Sequence, residues 1–375
     1  MNSPTPSRLP QLDVLRFIAI FLVIGAHNVI CPPEISPTLN TITAFWYRGG
    51  WSGVDLFFVL SGFLVSGLLF REYQKTENLN IGKFLIRRGF KIYPSFWLLI
   101  IVTTIVTYLT KGGINKAGTL GEMLFVQNYF SNLWWHTWSL AIEEHFYFGL
   151  SILFCTLLWL HTKNDKNPFS KIPKIFIFLA FACLAARVLT AHYLPWTYER
   201  NVTATHLRLD SLFFGVFLSY CWHFGSLSEN AYLKRHKSWI AAFGALLFLP
   251  AFIFELNAQD LWISVIGFSM FYLGAGLLLI SFLKMDFSNS RFLNILGRIG
   301  IYSYSIYLWN MPIHYWGDKA IEYYYGEFNW WIYIIIYFPA TFLIGIGTAK
   351  LVEYPVLKIR DRYFPSNNQP ITPYR

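Results

Sequence analysis

Charged residues are scarce in this chain of 375 residues. Aspartate, glutamate, lysine and arginine together make up 13% of the sequence, whereas they make up about a quarter of an ordinary soluble protein. No stretch is long and polar enough to form a soluble domain. Apolar runs of about twenty residues recur along the whole length instead. The composition therefore predicts an all-α polytopic membrane protein with one membrane domain.

Cysteine is also rare, and the four residues Cys31, Cys155, Cys183 and Cys221 show no C-x-x-C spacing. Neither a disulfide framework nor a metal site is indicated, and we expect no metal. The chain lacks a G-x-S-x-G nucleophile elbow and an activated-cysteine pattern, so these motifs offer no nucleophile. An internal repeat is missing as well, which counts against transporters built from inverted repeats.

The net charge of +10 does not indicate nucleic-acid binding, because the basic residues lie in short loops between apolar segments. These segments predict about ten transmembrane helices. They span residues 13–30, 54–71, 92–110, 136–160, 172–192, 205–223, 238–254, 261–283, 295–315 and 331–352.

The loop charges predict the orientation of these helices. One set of loops and both tails carry 22 of the 30 lysines and arginines, and the opposite loops carry five. Cytoplasmic loops are enriched in lysine and arginine, so both ends of the chain are predicted to be cytoplasmic. The 22 residues are Arg8, Arg71, Lys75, Lys83, Arg87, Arg88, Lys91, Lys163, Lys166, Lys171, Lys174, Lys234, Arg235, Lys237, Lys284, Arg291, Arg298, Lys350, Lys358, Arg360, Arg362 and Arg375. The five are Arg48, Lys111, Lys116, Arg200 and Lys319.

The two ends of the sequence are polar. Residues 1–12 lack a small-residue cleavage site after an apolar core, so we expect the first helix to be retained. We assign residues 1–12 and 356–375 to cytoplasmic tails and residues 13–355 to the transmembrane domain. The end of the chain from Pro365 is expected to be disordered.

The predicted outer loops are rich in tryptophan and tyrosine. Most of these residues are expected to form an interfacial aromatic belt, and a minority could stack on a sugar ring. The sequence does not show which residues belong to the belt and which could stack on a sugar. The residues are Trp46, Tyr47, Trp51, Trp134, Trp135, Trp196, Tyr198, Tyr323, Tyr324, Tyr325, Trp330 and Trp331.

Ionisable residues inside apolar helices are costly in a bilayer and are functional candidates by default. Arg16 and His27 lie eleven residues apart in the first helix, which places them about 16 Å apart on one face. Snorkelling of Arg16 and a loop-capping role for His27 are the structural alternatives. Asp55 begins the second helix after the glycine-rich residues 49–53, where a carboxylate also interacts favourably with the helix dipole.

Two further clusters begin later helices. Glu143 and Glu144 point about 100° apart, so at most one faces a cavity, and we favour Glu143. Arg208 and Asp210 do not share a face, so each is expected to pair across helices, and a purely structural ion pair is a serious alternative. With the predicted topology, Arg16 lies towards the cytoplasm. The residues predicted near the outer third of the membrane are His27, Asp55, Glu143, Arg208 and Asp210. A histidine among carboxylates suits general base catalysis on a hydroxyl.

The loop after the second helix supplies cations on the cytoplasmic side. Residues 81–92 predict a short amphipathic helix before Tyr93 and Pro94 enter the third span. This helix brings Arg87, Arg88 and Lys91 together, a favourable site for phosphates. Simple positive-inside anchoring explains the same cluster equally well.

At this point the chain resembles the membrane-bound acyltransferase 3 family over nearly its whole length, from Leu9 to Pro355. The motifs that carry the resemblance occur in the family's order. They are Arg16 with His27, G-V-D-x-F-F-V-L-S-G-F at residues 53–63, R-x-x-R at Arg88 and Lys91, W-S-L-x-x-E at residues 138–143, R-x-D at Arg208 and Asp210, and the late motifs at residues 303–309 and 353–355.

The sequence departs from the family pattern in three places. Lys91 replaces the second arginine of R-x-x-R, which keeps the charge but loses bidentate phosphate geometry. Asn310 and His145 stand where relatives often have histidine and glutamine, on the side expected to meet the acceptor. No hydrolase-like domain follows the membrane domain, unlike in longer members, so we expect the chain to act alone, as a homo-oligomer or with a separate extracytoplasmic partner.

The resemblance implies transfer of an acyl group, commonly acetyl, from acyl-CoA to a hydroxyl of a glycan, a lipid-linked saccharide or a small molecule. We expect Arg87, Arg88 and Lys91 to bind the phosphates of acetyl-CoA, and the pantetheine arm to pass Arg16. His27, oriented by Asp55 or Glu143, would then deprotonate the acceptor or carry the acyl group. Arg208, Asp210, Glu144 and Asn310 complete the predicted polar cluster.

The implied location is the cell inner membrane, with the lipid bilayer and a glycan as partners. A transporter of an acylated or lipid-linked substrate is the alternative from another class, because intramembrane charges alone do not exclude it. Enzymes that O-acylate a small molecule, such as an antibiotic or an osmolyte, carry the same motifs, so this alternative acceptor stays open. An enzyme would consume acyl-CoA, whereas a transporter would leave the thioester intact.

Overall fold

The computed structural model describes residues 9–161, 167–287, 289–326 and 328–366. Within these residues the chain is helical and contains no strand. Arg8, Lys163, Lys166 and Arg375, which contribute to the charge bias, lie outside the described residues, as do most of the predicted N-terminal tail and residues 367–375 of the C-terminal tail.

Seventeen α-helices are found in the described part of the chain. They are α1 Pro10–Ala26, α2 Pro37–Gly50, α3 Gly53–Thr76, α4 Ile81–Lys111, α5 Lys116–Met123, α6 Trp138–Trp159, α7 Ile172–Tyr193, α8 Tyr198–Asn201, α9 Leu209–Phe224, α10 Ala231–Arg235, α11 Lys237–Leu246, α12 Leu249–Ile253, α13 Phe268–Leu283, α14 Arg291–Gly300, α15 Ser303–Tyr325, α16 Trp330–Thr348 and α17 Tyr354–Tyr363. Short 3-10 turns at Trp135–Thr137 and Thr205–Leu207 lead towards α6 and α9, and π-helical turns precede α13 and α17.

Among the described residues, six helical segments are long and apolar enough to cross a membrane. They are Pro37–Thr76, Ile81–Lys111, Trp135–Trp159, Ile172–Tyr193, Ile263–Leu283 and Trp330–Tyr363. The prediction of an all-helical polytopic membrane protein agrees with this architecture. The count of ten spans and the cytoplasmic position of both ends stay predictions.

Helices α3 and α9 cross at a pair of glycines. A Cβ atom on Gly62 would lie 1.9 Å from the carbonyl oxygen of Leu212, and one on Gly215 would lie 2.2 Å from that of Val59. Because glycine alone has no Cβ, the two backbones can touch at this crossing. The contact fixes α9 beside α3, and it brings the residues that begin the two helices together.

The third predicted span begins earlier than expected. Residues 81–92 do not form a separate helix, because α4 runs without interruption from Ile81 to Lys111 with Pro94 inside it. Proline removes only its own backbone hydrogen bond, and helices in membrane domains often tolerate this loss. The cations of α4 therefore share one rigid helix with the residues that enter the core.

The ninth predicted span, 295–315, is interrupted. It contains the end of α14 and the beginning of α15, separated at Ile301 and Tyr302. A Cβ on Gly300 would lie 1.9 Å from the carbonyl oxygen of Asp13, so the end of α14 packs directly on α1. The chain then turns, and α15 alone continues into the core.

Candidate active site

A cavity of about 150 Å³ lies between α1, α3, α4, α6 and α15. It extends along α3 from Val54 to Val65, which corresponds to about 16 Å at 1.5 Å per residue. One part of its wall is apolar and the other is polar. The polar lining residues are Arg16, Ser61, Arg88, Lys91, Ser139, Glu143, Tyr147, Ser303, Tyr304 and Tyr307.

Glu143 faces this cavity, as predicted, and Glu144 does not line it. The hydroxyl of Tyr147 donates a hydrogen bond to Oε2 of Glu143 at 2.6 Å and is 2.7 Å from Oγ of Ser61. Glu144 instead accepts a hydrogen bond of 3.0 Å from the hydroxyl of Tyr93 on α4. The two adjacent carboxylates thus have different partners, and Glu143 is held in place by the hydroxyl groups of Tyr147 and Ser61.

Arg88 is the cation of the cavity wall without an ion pair among the described residues. Its guanidinium carbon lies 5.5 Å from the ring centre of Tyr147 and 5.9 Å from that of Phe84. The side chain is thereby positioned by aromatic rings, while its hydrogen-bond donors stay available. Such a guanidinium suits binding of an anionic group.

Lys91 and Arg16 also line the cavity, but each has a carboxylate partner. Nζ of Lys91 forms an ion pair with Oε1 of Glu353, whose other oxygen accepts a hydrogen bond of 3.0 Å from Ser305. Arg16 lies 3.0 Å from Oδ1 of Asp13, one turn earlier on α1. Each pair fixes the position of its cationic group at the wall.

Arg87 differs from the other two predicted phosphate ligands. Its guanidinium lies 3.1 Å from Oδ1 of Asp361 and donates to the carbonyl oxygen of Phe364. It does not line the cavity. Adjacent residues on a helix point about 100° apart, so Arg88 turns towards the cavity and Arg87 towards the segment around α17.

His27 directly follows α1, where its backbone N–H bonds to the carbonyl oxygen of Ile24. Its imidazole is 8% exposed, and Nδ1 is hydrogen-bonded to Oδ1 of Asn310 on α15. Because Nδ2 of Asn310 donates to the carbonyl oxygen of Tyr307, the amide oxygen faces the imidazole. Asn310 therefore assigns the proton to Nδ1 and leaves the lone pair of Nε2 available as a base.

The expected orientation of His27 by Asp55 or Glu143 is corrected by this contact. No hydrogen bond joins either carboxylate to the imidazole; the observed partner is the neutral amide of Asn310, which is 0% exposed. The packing of α15 against α1 brings Asn310 to His27, and both carboxylates are held by other partners. The prediction that a carboxylate orients His27 is therefore wrong.

Asp55 and Asp210 belong to two fully buried ion pairs beside the cavity. Oδ1 of Asp55 lies 2.7 Å from the guanidinium of Arg208, and Oδ2 of Asp210 lies 2.8 Å from that of Arg187. The guanidinium carbon of Arg208 is also 3.7 Å from the ring centre of Phe268. The prediction that Arg208 and Asp210 pair across helices is confirmed, and the pairs connect α3, α7, α9 and α13.

Three groups near His27 were not predicted to contact it, and Trp135 among them was predicted only as one of the outer aromatic residues. The ring of His136 is 1% exposed and lies 6.0 Å from that of His27, centre to centre. Tyr307 lines the cavity, donates to the carbonyl oxygen of His136 and is 2.7 Å from Ser139. Trp135 covers another side of His27, at 5.3 Å. His136 precedes W-S-L-x-x-E and Tyr307 lies in a late motif, but motif membership does not reveal contacts.

Glu122 fixes the segment that carries these groups. Its Oε1 accepts hydrogen bonds from the backbone N–H groups of Leu133 and Trp134 and from the hydroxyl of Thr137, at 3.2, 3.2 and 2.8 Å. Burial raises the pKa of Glu122 to about 7, against these hydrogen bonds, which lower it. The protonated carboxyl is thus favoured in the folded protein.

A pH dependence follows for this segment. The pKa of Glu122 is raised on folding, so its contribution to stability is present below about pH 4.5 and is lost as the pH rises through about 7, a difference of about 3 kcal/mol. Hydrogen exchange of residues 133–137 should therefore be faster at pH 8 than at pH 5 after correction for intrinsic rates. Glu122→Gln should remove most of this dependence, and an unchanged dependence in that variant would contradict the assignment.

The helices and the cavity define a polytopic membrane protein with a polar core that contains three cations. His27 does not line the cavity itself; its partner Asn310 bonds to Tyr307, which does. Residues 9–350 match the family described as "Acyltransferase domain", so the chain belongs to the acyltransferase 3 family. The motif resemblance is thereby confirmed. No solved structure matches the chain.

Two curated relatives show what the chain is similar to. It is 27% identical over 383 residues to O-acetyltransferase OatA of Staphylococcus aureus, covering 94% of this chain and 58% of the relative. It is 28% identical over 402 residues to peptidoglycan O-acetyltransferase OatA of Listeria monocytogenes, covering 97% and 60%. The chain thus spans less than two thirds of the length of these relatives.

Proposed function

We propose that this chain is a membrane O-acyltransferase that moves an acetyl group from acetyl-CoA to a hydroxyl of a cell-envelope glycan. One observation carries the proposal: the buried His27 has one available ring nitrogen, and its partner Asn310 bonds to Tyr307, which lines a cavity that also contains three cations. Family membership and the similarity to OatA support the same reaction class. The name of the Listeria relative favours peptidoglycan among the glycans.

The proposed topology has ten spans, with both ends cytoplasmic, in the cell inner membrane. Residues 13–355 would form the catalytic domain and residues 1–12 and 356–375 the tails. Arg88 and Lys91 then lie towards the cytoplasm, where acyl-CoA is made, and His27 lies towards the outer face. The loop charges support this orientation.

The donor site is built by the cations of the cavity wall. Arg88 binds a phosphate of acetyl-CoA, because its guanidinium is held by aromatic rings and no carboxylate of the described residues lies within ion-pair distance of it. Lys91, paired with Glu353, and Arg16, paired with Asp13, place further hydrogen-bond donors along the path of the pantetheine arm. Arg87 contributes less, because it does not line the cavity and its guanidinium is turned to Asp361.

The reaction uses the available lone pair of His27. Nε2 accepts the proton of the acceptor hydroxyl while the oxygen attacks the thioester carbonyl carbon. The carbon–sulfur bond then breaks, the acetyl group remains on the acceptor oxygen, and the departing CoA thiolate takes the proton from His27. Asn310 accepts the hydrogen bond from Nδ1–H throughout, so the imidazole keeps its orientation.

Adjacent arginines give a matched test of the donor site. Arg88→Ala should raise the KM for acetyl-CoA about ten-fold or more, because a hydrogen bond to a charged group contributes about 1.5–3 kcal/mol. Arg87→Ala should raise it much less, because that guanidinium is paired with Asp361. Steady-state kinetics in lipid nanodiscs measures both values. A larger effect at Arg87 than at Arg88 would contradict the assignment.

Purified protein with acetyl-labelled acetyl-CoA and extracted envelope glycans tests the function itself. Thiol release together with label on glycan is the expected result. Label on small molecules alone would support the alternative acceptor class. An intact thioester in the presence of acceptor would contradict the proposal and favour a transporter.

A further inference from the structure

Among the outer aromatic residues, Trp135 has a position that an interfacial belt does not require. Its indole ring is 43% exposed and meets the imidazole of His27 edge to face, with ring centres 5.3 Å apart and planes at 80°. Tyr198 packs edge-on against Trp135 at 5.7 Å. A molecule that covers the exposed part of Trp135 therefore lies beside the candidate base.

The neighbouring Trp134 shows that this exposure is specific. Trp134 is 9% exposed, and its Nε1 donates a hydrogen bond of 2.7 Å to Oγ1 of Thr103. Nε1 of Trp135 has no hydrogen-bond partner among the described residues. Of two consecutive tryptophans, one is thus used for packing, and the other presents an exposed aromatic surface and an available donor.

The backbone that carries Trp135 is also held on both sides. Glu122 bonds to the backbone of Leu133 and Trp134 and to the hydroxyl of Thr137, and Tyr307 donates to the carbonyl oxygen of His136. The backbone is therefore fixed on both sides of Trp135. A preorganised aromatic ring binds a ligand with little loss of conformational freedom.

We propose that Trp135 is the acceptor platform, on which a pyranose ring of the glycan stacks with a hydroxyl directed to His27. A pyranose has an apolar C–H face and a polar rim. The C–H face complements the electron-rich face of an indole, and the rim can accept a hydrogen bond from Nε1. This inference rests on the proposed function, because it names the acceptor site of the same reaction.

The test uses the full chain in nanodiscs with chitotetraose, a soluble β-1,4-linked N-acetylglucosamine oligomer. Trp135→Ala should raise the KM for chitotetraose about ten-fold or more, as truncation of an aromatic anchor does. Trp135→Tyr should stay close to wild type, because a stacking ring is kept.

Trp331 provides the matched control. It is 49% exposed, and its recorded ring contact is with Trp330 rather than with His27. Trp331→Ala should leave the KM for chitotetraose unchanged. Equal effects of Trp135→Ala and Trp331→Ala on this KM, or no effect of either, would overturn the platform and leave Trp135 as a lipid-facing belt residue.

Saturation-transfer NMR of chitotetraose separates this inference from the proposed function. Binding that depends on Trp135 in a protein that transfers no acetyl group would support the platform and contradict the function. Transfer to chitotetraose that depends on His27 but not on Trp135 would overturn the platform alone. Absence of chitotetraose binding to the wild type would also overturn it.

Discussion

Replacing His27 by alanine is expected to lower acyl transfer by about a hundred- to ten-thousand-fold, the range that a general base contributes. The variant should fold, because the smaller side chain leaves α1 and its packing intact. Initial rates of acetyl transfer in nanodiscs, with folding checked by thermal unfolding, measure the effect. Near-normal transfer by a well-folded variant would contradict the mechanism.

Two further variants show whether His27 acts through Asn310. Asn310→Ala should lower the turnover number by a smaller factor, because the imidazole loses the acceptor that fixes its tautomer. The double variant should be no slower than His27→Ala alone, since residues that act as a unit are not additive. His192→Ala, an exposed histidine at the end of α7, is the matched control and should transfer normally. Additive losses would show that Asn310 acts independently.

The second large effect is expected on stability. Asp55→Ala leaves the guanidinium of Arg208 buried without its carboxylate, and both partners are at most 1% exposed. Loss of one partner of a buried pair costs about 3–5 kcal/mol. We therefore expect a strongly lowered unfolding midpoint in detergent and a poor yield of folded protein.

An exposed ion pair serves as the control for Asp55. Glu322→Ala removes the partner of Lys319 at the surface, and such exposed pairs contribute little to stability. Its unfolding midpoint should be close to that of the wild type. If Asp55→Ala were as stable as Glu322→Ala but inactive, Asp55 would have the catalytic role that the sequence suggested.

Much of the polar cavity wall could be predicted from the sequence. Arg16, Arg88, Lys91 and Glu143 all line the cavity, because helical periodicity and motif order determine which face of each helix they occupy. Arg87 was assigned to the same cluster. Its pairing with Asp361 depends on where the end of the chain packs, and local spacing carries no information about that.

The contacts of His27 were less predictable. His27 and Asn310 are 283 residues apart in sequence, and their contact depends on how α15 packs against α1. A carboxylate is the usual expectation for orienting a basic histidine, which favoured Asp55. The ion pair with Arg208 satisfies Asp55 instead. Trp134 and Trp135 are consecutive tryptophans. Only the tertiary structure shows that the ring of Trp135 is exposed and that of Trp134 is buried.

The central claim is that one site joins a cytoplasmic donor to an acceptor from the opposite face. Sealed vesicles of known orientation test it most directly, with acetyl-labelled acetyl-CoA on the side of Arg88 and chitotetraose on the other side. We predict free CoA on the donor side and labelled chitotetraose on the opposite side, with both signals lost in His27→Ala. Labelled chitotetraose formed only when donor and acceptor share one side would contradict the account.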